Sequence, residues 1–496
     1  MGDTKEGGMT ETGVEKGALE NRWSQLMKTE YLLVALISGI GFVFYLWILT
    51  RHPLIYGIDG PYYLIQVRGL LESGRLQYGD PPLAFLLFTF FTLLVGGDMT
   101  LGVRVGTALF SALSTVPLYS LLKRVTKLEY AGYVGMLACI FSAPHIRMMN
   151  DLLKNAVGVC FLLFFVYHLH RMAFSGRARR DLLLASLFLV LTGATHILDL
   201  GVALLFLGLY LIIAVVLDVN RRQFAKGVGA VVLVMGAFVG IAFGTFPSLF
   251  TDFYKGVYFL QDLFATSGQE PSGPLPPGQV PIGQVPPDQG PPVRFLFDPR
   301  GGVLTLPILA CGTVLAVYEW KMGKREAVLM LSSVTVVGIL LSLPFIPHEW
   351  LWRFLLMEFI PIAFILGYSV SKIEQKVGVV VFAMLVVFPL LFQSVEASRL
   401  MGPTIDEGGL RELELIGSIV PSDSVVASIV HPRSGYWVQY VLGGNVTRGL
   451  SSRVWLHHQH VFGLLQRSSF SRPLPPYRVV IEGKEFILVE FQRPPP

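Results

Sequence analysis

Long apolar runs separated by short polar segments dominate the chain from residue 31 to residue 393. Eleven of these runs have close to the ~20 residues that an α-helix needs to cross a bilayer. They start near Tyr31, Leu101, Tyr130, Asn155, Asp181, Gly201, Gly227, Gly302, Ala327, Arg353 and Val377. The pattern predicts a mainly α, polytopic membrane protein with about eleven transmembrane helices.

A twelfth apolar run, Leu83 to Gly97, is short and lies between Pro81-Pro82 and Asp98. If this run does not cross the bilayer, the Lys- and Arg-rich loops all fall on the side of the N-terminus, as the positive-inside rule expects for a cytoplasmic N-terminus. If it crosses, all of those loops move to the opposite side. We therefore interpret this run as a juxtamembrane helix on the external face and residues 1–30 as a cytoplasmic tail.

This orientation divides the chain into regions. The transmembrane region, residues 31–393, carries two long external loops, residues 51–100 and residues 248–301. The second loop is rich in Pro, Gly and Gln, which predicts an extended tether or a flap over an external site. After residue 393, charged residues and turn formers return, with a predicted strand at Ser424 to Val430 and a predicted hairpin at residues 478–491. Residues 394–496 are therefore expected to form a small external α+β domain.

The composition excludes several functional classes. Apolar residues make up 53% of the chain and charged residues only 15%, which is typical of an integral membrane protein. The net charge of +5 comes from the short loops between runs, where membrane orientation accounts for it, so nothing indicates binding to nucleic acid. No GxxxxGK[ST] motif occurs, and the cytoplasmic loops are too short for a nucleotide-binding domain, which argues against nucleotide-driven transport.

The first external loop contains the first acidic residue after the first run, Asp59, in the stretch YGIDGPYY. Pro61 suits the first turn of a helix, and the apolar residues that follow lie on one stripe, with Gln66 on another face, as in a helix on a bilayer surface. An Asp before Gly-Pro is often a plain turn residue. The functional alternative is a carboxylate presented at the membrane interface.

Other ionisable residues lie at the predicted external ends of later runs. They are Arg147, Asp151, Lys154, His196, His348 and Arg353. Each also has an ordinary interpretation, because an Asp can cap a helix and cations can anchor helix ends at lipid head groups. Ionisable groups that face the inside of a helix bundle are more often functional. Two carboxylates with several cations at one membrane face indicate a site for a phosphorylated lipid.

Transfer of a sugar from a polyprenyl phosphate needs a carboxylate to act on the acceptor and positive charge to stabilise the departing phosphate. Asp59 and Asp151 are the candidate catalytic carboxylates. Two sources of positive charge are open. Side chains are one, and the candidate donor-phosphate ligands are Arg353, Arg147, Lys154, His196 and His348. The other is Mg²⁺ or Mn²⁺ held by the hard oxygen ligands Asp59, Asp151 and Glu270.

These residues resemble a family, the GT-C membrane glycosyltransferases, and within it the catalytic subunit of oligosaccharyltransferase. Asp59-Gly60-Pro61-Tyr62-Tyr63 is similar to the acidic motif of that subunit's first loop. The segment Arg147 to Asp151 resembles its second acidic motif, with one acid in place of a pair. Arg353-Phe354 is similar to an Arg-Phe near its lipid-linked donor, and Glu270 is similar to its mobile-loop Glu. The resemblance implies a GT-C fold with Asp59, Asp151 and Arg353 at the donor site.

The resemblance extends into the C-terminal domain, where residues 423–440 are similar to a strand followed by the acceptor-recognition segment WWDYG. In this chain IVHPRS, Ile429 to Ser434, replaces the Trp-Trp-Asp positions. The resemblance therefore implies an altered acceptor pocket.

The sequence thus predicts a glycosyltransferase that moves a sugar or oligosaccharide from a polyprenyl (dolichyl) phosphate or pyrophosphate donor to an acceptor on the external face of the membrane. The expected partners are this donor, membrane lipids, and an acceptor that is a protein, a glycan or a lipid. A different class remains as the alternative, a transporter or flippase for lipid-linked saccharides. Charges buried midway along the helices would favour the transporter, whereas charges at the external rim favour the enzyme.

Overall fold

The computed structural model describes residues 11–174, 178–219, 221–264, 305–447, 454–458, 460–467 and 476–492. Helices account for most of these residues, and a small sheet lies near the C-terminus. The first ten helices are α1 Glu11–Thr50, α2 Gly60–Ser73, α3 Leu83–Leu94, α4 Met99–Leu113, α5 Thr115–Thr126, α6 Glu129–Ile140, α7 Ala143–Asp151, α8 Leu153–Phe174, α9 Ala178–Thr195 and α10 Ile197–Val216. The remaining helices are α11 Arg221–Thr245, α12 Tyr254–Phe264, α13 Thr305–Lys321, α14 Arg325–Leu341, α15 His348–Met357, α16 Phe359–Val370, α17 Lys376–Arg399, α18 Glu407–Ile419, α19 Gly435–Leu442 and α20 Val454–His457.

Each of the eleven apolar runs contains a helix, or two helices in succession. Among the described residues, seven helices are long and apolar enough to cross a membrane: Thr29–Thr50, Met99–Thr126, Leu153–Phe174, Ile197–Val216, Phe224–Thr245, Trp350–Val370 and Lys376–Arg399. The helices of the other runs do not meet this description. Helices α6, α13 and α14 are too short, and three of the first four residues of α9 are charged. The fold class, a polytopic and mainly α membrane protein, is confirmed.

The core of the bundle forms where α8 packs against α4, α5, α9 and α10, and where α16 packs against α6, α13 and α14. Its largest buried side chains include Phe165, Tyr210 and Phe364. Many apolar side chains of α1 and α17 point outward, among them Leu32, Val377 and Leu385. Outward-facing apolar side chains on these two helices suit a lipid environment.

The twelfth apolar run forms α3. At ~1.5 Å per residue its twelve residues span only about 18 Å, less than the ~30 Å of a hydrocarbon core. Phe85 and Phe88 on one face are buried against α2 and α4, whereas Phe90, Leu93 and Leu94 on other faces are exposed. A short helix with one buried and one exposed apolar face fits the predicted juxtamembrane position.

The C-terminal part forms a five-stranded sheet in the order β2-β1-β3-β5-β4. The strands are β1 Val425–Ile429, β2 Val446–Thr447, β3 Val461–Gln466, β4 Tyr477–Glu482 and β5 Phe486–Phe491. Strand β1 pairs in parallel with β2 and β3, and β5 pairs antiparallel with β3 and β4. The predicted strand and hairpin are present as β1 and β4–β5, so the expected small α+β unit is confirmed, while β2 and β3 were not predicted.

The sheet unit is joined to the helix bundle through the first loop, residues 51–100. Helix α19 packs on α2, and α2 and α3 share one buried cluster with the sheet and α18. At the start of the loop, the Gly57 N–H donates to the Gly402 carbonyl at 3.0 Å, just after α17. The first loop therefore lies between the bundle and the C-terminal unit, and we call this side of the bundle the loop end.

Candidate active site

Asp59 lies immediately before α2, with Pro61 in the first turn of the helix, as predicted. Its side chain makes no capping hydrogen bond, whereas Asp98, which precedes α4 in the same loop, accepts one from the Leu101 N–H at 2.9 Å. Burial raises the pKa of Asp59 to about 6, and the nearby Asp151 carboxylate contributes to the rise. Asp59 is thus a half-buried carboxyl whose position serves no helix cap.

Asp151 is the last residue of α7 and holds the first loop in place. Its Oδ1 accepts a hydrogen bond from the Ile58 N–H at 3.0 Å, and its Oδ2 accepts one from the Asn150 amide at 2.9 Å. Gly57 makes this approach possible, because it has φ +75° and a Cβ there would lie 2.5 Å from Asp151 Oδ1. These contacts connect Asp151 to the residue next to Asp59, so the two carboxylates share one site.

Three cations oppose the rise in the pKa of Asp59: Arg353, Lys154 and Lys255. They come from α15, the start of α8 and α12, which are far apart in sequence. The Arg353 guanidinium lies over the rings of Trp350 and Trp352, at 5.4 Å and 5.3 Å from their centroids. Stacking on these rings fixes the guanidinium near the site in a way that a simple interfacial anchor would not require.

Lys154 forms a buried ion pair that the sequence did not reveal. Its Nζ lies 2.7 Å from Asp80 Oδ1 and 2.6 Å from Asp80 Oδ2. The Tyr62 hydroxyl donates to Asp80 Oδ2 at 2.6 Å. Asp80 and Lys255 are both charged residues of the site that sequence reasoning missed. The only local signals were that Asp80 precedes Pro81-Pro82 in the first loop and that Lys255 follows the apolar run of α11.

The remaining predicted site residues are His196, Arg147, His348 and Glu270. His196 is buried at the start of α10, and its Nδ1 lies 3.7 Å from Oδ2 of Asp199, a carboxylate that interacts electrostatically with Lys154. Arg147 lies on α7, one turn before Asp151, and is half-buried. His348 begins α15, but its side chain is not among those described, and Glu270 lies outside the described residues.

A divalent metal fits the described part of this site poorly. No group of three or more His, Cys, Asp or Glu side chains suited to a metal ion occurs among the residues described. Both Asp151 oxygens already accept hydrogen bonds, and three cations act electrostatically on Asp59. A site for Mg²⁺ or Mn²⁺ normally collects more oxygen ligands and less positive charge. The described groups that offset the negative charge at Asp59 are cationic side chains.

Aromatic residues of the C-terminal unit border the same site. The Tyr62 ring lies 5.6 Å from that of Tyr78 and 5.3 Å from that of Tyr436 on α19. The Tyr78 hydroxyl donates to Gln439 Oε1 at 2.8 Å. The segment IVHPRS comes just before α19 and includes a short 3₁₀ turn at Pro432–Ser434. Helix α19, which directly follows that segment, therefore contacts Tyr62 and Tyr78 of the first loop.

Comparison with known proteins gives a family model and several solved structures that are similar to this chain. A family model described as dolichyl-phosphate-mannose-protein mannosyltransferase matches residues 79–242. No curated protein sequence matches the chain. The structure of ArnT from Cupriavidus metallidurans bound to undecaprenyl phosphate is similar over 93% of this chain and 97% of that chain, with 13% identity and a TM-score of 0.53.

The archaeal oligosaccharyltransferase AglB from Archaeoglobus fulgidus, solved with an inhibitory peptide and a dolichol-phosphate, is similar over 88% of this chain and 69% of that chain. The identity is 12% and the TM-score is 0.59. A structure of the same archaeal enzyme in complex with Zn and sulfate gives a TM-score of 0.54 at 12% identity, over 88% of this chain and 67% of that chain.

The chain shares its fold with these membrane glycosyltransferases, and the mannosyltransferase family model matches about a third of its length. The fold that the resemblance implied is therefore confirmed, while the roles of Asp59, Asp151 and Arg353 stay predictions. The seven long apolar helices among the described residues indicate an integral membrane protein.

Proposed function

We propose that the protein transfers a sugar or oligosaccharide from a polyprenyl phosphate or pyrophosphate to an acceptor at the loop end of the bundle. One observation supports this most strongly. Asp59, a carboxylate without a capping role, interacts with Asp151 and with three cations that come from three separate segments. Such an arrangement provides both a base and a site for an anionic leaving group.

In this mechanism Asp59 acts as the general base. An acceptor hydroxyl attacks the anomeric carbon of the donor while Asp59 takes the hydroxyl proton. The bond between that carbon and the phosphate oxygen breaks, and its electron pair leaves with the lipid phosphate. A pKa of about 6 suits this role, because Asp59 is mostly ionised at neutral pH yet more basic than an ordinary Asp. Asp151 keeps Asp59 in place through its bond to the Ile58 N–H.

Arg353 and Lys154 are the proposed ligands of the donor phosphate. Both lie near Asp59, and a guanidinium can form two parallel hydrogen bonds to a phosphate. Arg147, His196 and His348 remain secondary candidates for the same role. The structures of ArnT and AglB hold undecaprenyl phosphate and dolichol-phosphate respectively, which supports a polyprenyl carrier for this chain as well.

No step of this mechanism goes through a metal ion. A structure of the archaeal oligosaccharyltransferase holds Zn, which motivates a test for Mg²⁺ or Mn²⁺ here. Such an ion would need Asp59, Asp151 and a further ligand such as Glu270, and it would have to displace the cations around Asp59.

The acceptor and the side of the membrane are narrower parts of the proposal. The replacement of Trp-Trp-Asp by residues 429–434 supports an acceptor other than an ordinary glycosylation sequon. The positive-inside rule supports a cytoplasmic N-terminus, which would put the loop end and the C-terminal unit outside.

The distribution of charge favours this enzyme over a transporter. Of the described acids, Asp59, Asp80 and Asp151 lie at the loop end, while Glu326 pairs with Arg124 at the opposite end. Glu358 is buried within the apolar segment Trp350–Val370, where it accepts a hydrogen bond from the Ser342 hydroxyl, so it is a single partnered group and not a row of charges. Between the two ends, the space enclosed by α5, α8, α10, α14 and α16 is lined by apolar side chains such as Leu162, Phe206 and Met330. A path for a charged saccharide would require polar groups at that depth.

The test is transfer of a labelled sugar from a polyprenyl-phosphate donor by the purified full chain in lipid nanodiscs. Asp59→Asn should reduce transfer about 100-fold or more, the usual contribution of a general base. Asp98→Asn is the matched control, because it removes a carboxylate from the same loop at a helix cap that Asn also serves. Full activity in Asp59→Asn would overturn the proposal.

A further inference from the structure

Asp80 is a buried carboxylate with a well-defined set of partners. Its side chain is 3% exposed and that of Lys154 is 9% exposed. Two oxygens face one ammonium at 2.6 Å and 2.7 Å, and the Tyr62 hydroxyl adds a third short bond. Removing a carboxylate from such a pair leaves a buried ammonium without its main counter-ion.

The surroundings of Asp80 fix its position from several sides. The Gln66 amide donates to the Tyr62 hydroxyl and to the Tyr78 carbonyl, both at 3.0 Å, and its Oε1 accepts from the Tyr78 N–H at 3.0 Å. These bonds explain why Gln66 is fully buried, in contrast to the face expected for it from the sequence. The neighbouring Gly79 carbonyl accepts from the Thr251 hydroxyl at 3.2 Å. Asp80 is therefore held more firmly than an exposed loop residue would be.

Lys154 connects this ion pair to the carboxylates of the site. It begins α8 three residues after Asp151, and its charge acts on both Asp59 and Asp199. The position of its ammonium therefore contributes, together with Arg353, to where positive charge is available to a donor phosphate. That ammonium donates to both carboxylate oxygens of Asp80, at 2.7 Å and 2.6 Å.

We propose that Asp80 is a positioning residue of the donor site, which acts through Lys154. It holds the Lys154 ammonium where a departing phosphate needs it and partly offsets the ammonium charge, so that the product lipid phosphate can leave. This inference rests on the proposed function, because it assumes that Lys154 contacts the donor phosphate.

Two kinetic effects follow for Asp80→Asn, which keeps the size of the side chain. The ammonium loses its fixed position, so kcat for sugar transfer should fall about 10- to 100-fold, as small misplacements of catalytic groups do. The ammonium also gains net attraction for phosphate, so the KM for the donor should not rise and the product polyprenyl phosphate should inhibit more strongly. A purely structural role would lower the amount of folded protein and leave both constants of the folded fraction unchanged.

A double-mutant cycle with Lys154→Met tests whether Asp80 acts through Lys154. In the Lys154→Met background, Asp80→Asn should cause no further loss of kcat. The folded fraction is measured by thermal unfolding, and binding is measured with free polyprenyl phosphate as the probe. If Asp80→Asn does not fold, Tyr62→Phe replaces it, because that variant keeps the ion pair and removes one bond to Asp80. It should lower kcat about 3- to 10-fold without raising the donor KM.

The outcomes separate this inference from the proposed function. The role of Asp80 would be overturned if Asp80→Asn kept the wild-type kcat and product inhibition, or if the losses of kcat multiplied in the double mutant. Transfer by the wild-type chain would then still support the proposed function. If the wild-type chain neither binds polyprenyl phosphate nor transfers a sugar from it, the function and this inference both fall.

Discussion

Gly57→Ala is the substitution for which the structure gives the clearest expectation. Gly57 has φ +75°, a region that an L-residue adopts only with strain. An added Cβ would overlap the Asn150 carbonyl oxygen and lie 2.5 Å from Asp151 Oδ1. Because both groups belong to the C-terminal end of α7, the first loop would have to move away from that helix, and the bond from the Ile58 N–H to Asp151 would lengthen or break.

The cost can be estimated by comparison with Gly74. Gly74 has φ +67° at the end of α2, in the same loop, and an added Cβ there meets no atom within 4 Å. Gly74→Ala should therefore cost only the conformational strain, about 1–2 kcal/mol. Gly57→Ala carries a similar strain plus about 1–3 kcal/mol for overpacking. A weakened hydrogen bond to a carboxylate adds a further ~1 kcal/mol or more.

Two measurements distinguish the variants. Thermal unfolding in detergent should show a clearly larger loss for Gly57→Ala than for Gly74→Ala. Sugar transfer should fall about 100-fold in Gly57→Ala, because Asp59 moves relative to the cations, and should stay near the wild-type rate in Gly74→Ala. Equal unfolding temperatures together with equal transfer rates would show that the first loop is not fitted against Asp151 as described.

Three further predictions concern charge at the loop end. Burial and Asp151 raise the pKa of Asp59 to about 6, so kcat/KM for transfer should rise with pH through about 6 as Asp59 ionises. A midpoint near ~4, the pKa of an ordinary Asp, would contradict its role as the base. Exhaustive chelation with EDTA should leave sugar transfer unchanged, since cationic side chains already act electrostatically on Asp59. A loss of activity that Mn²⁺ restores would favour a metal site. Arg104→Lys should lower the free energy of unfolding by about 1–3 kcal/mol, because the Arg104 guanidinium donates to the carbonyls of His52 at 2.6 Å and Leu54 at 2.7 Å. An unchanged unfolding temperature would mean that these bonds do not hold the first loop.

The membrane architecture was predictable because hydropathy is a property of contiguous residues. Each apolar run is long enough to be recognised without knowing its neighbours. The interruptions were harder to foresee. The break between α15 and α16 falls at Glu358, three residues before Pro361, which has no N–H to donate to the Met357 carbonyl. Pro361 is therefore the signal of this break in the sequence, and only the hydrogen bond from the Ser342 hydroxyl to the Glu358 carboxylate depends on the packing of distant segments.

Strand β3 shows the same limit in the C-terminal unit. It lies in the middle of the sheet, and all six residues, Val461 to Gln466, are buried, so the alternation of polar and apolar residues that reveals a half-exposed strand is missing. Gly463 in its centre is explained by the Phe491 ring, which leaves no room for a Cβ. In the sequence the same Gly reads as an interruption of a strand.

Asp80 and Asp98 show why the candidate site could be predicted only in part. Both are acids of the first loop, and local sequence treats them alike. Asp98 has a local partner, the Leu101 N–H, and its role as a cap can be derived from the chain around it. Asp80 has its partner Lys154 at the start of α8, 74 residues later, and only the packing of α8 against the first loop brings the two together. Asp59 was visible because Pro61 marked its turn. Asp80→Asn and Asp98→Asn therefore make the same chemical change, the first at a contact between distant segments and the second at a local helix cap. Only Asp80→Asn should alter kcat for sugar transfer and inhibition by the product lipid phosphate.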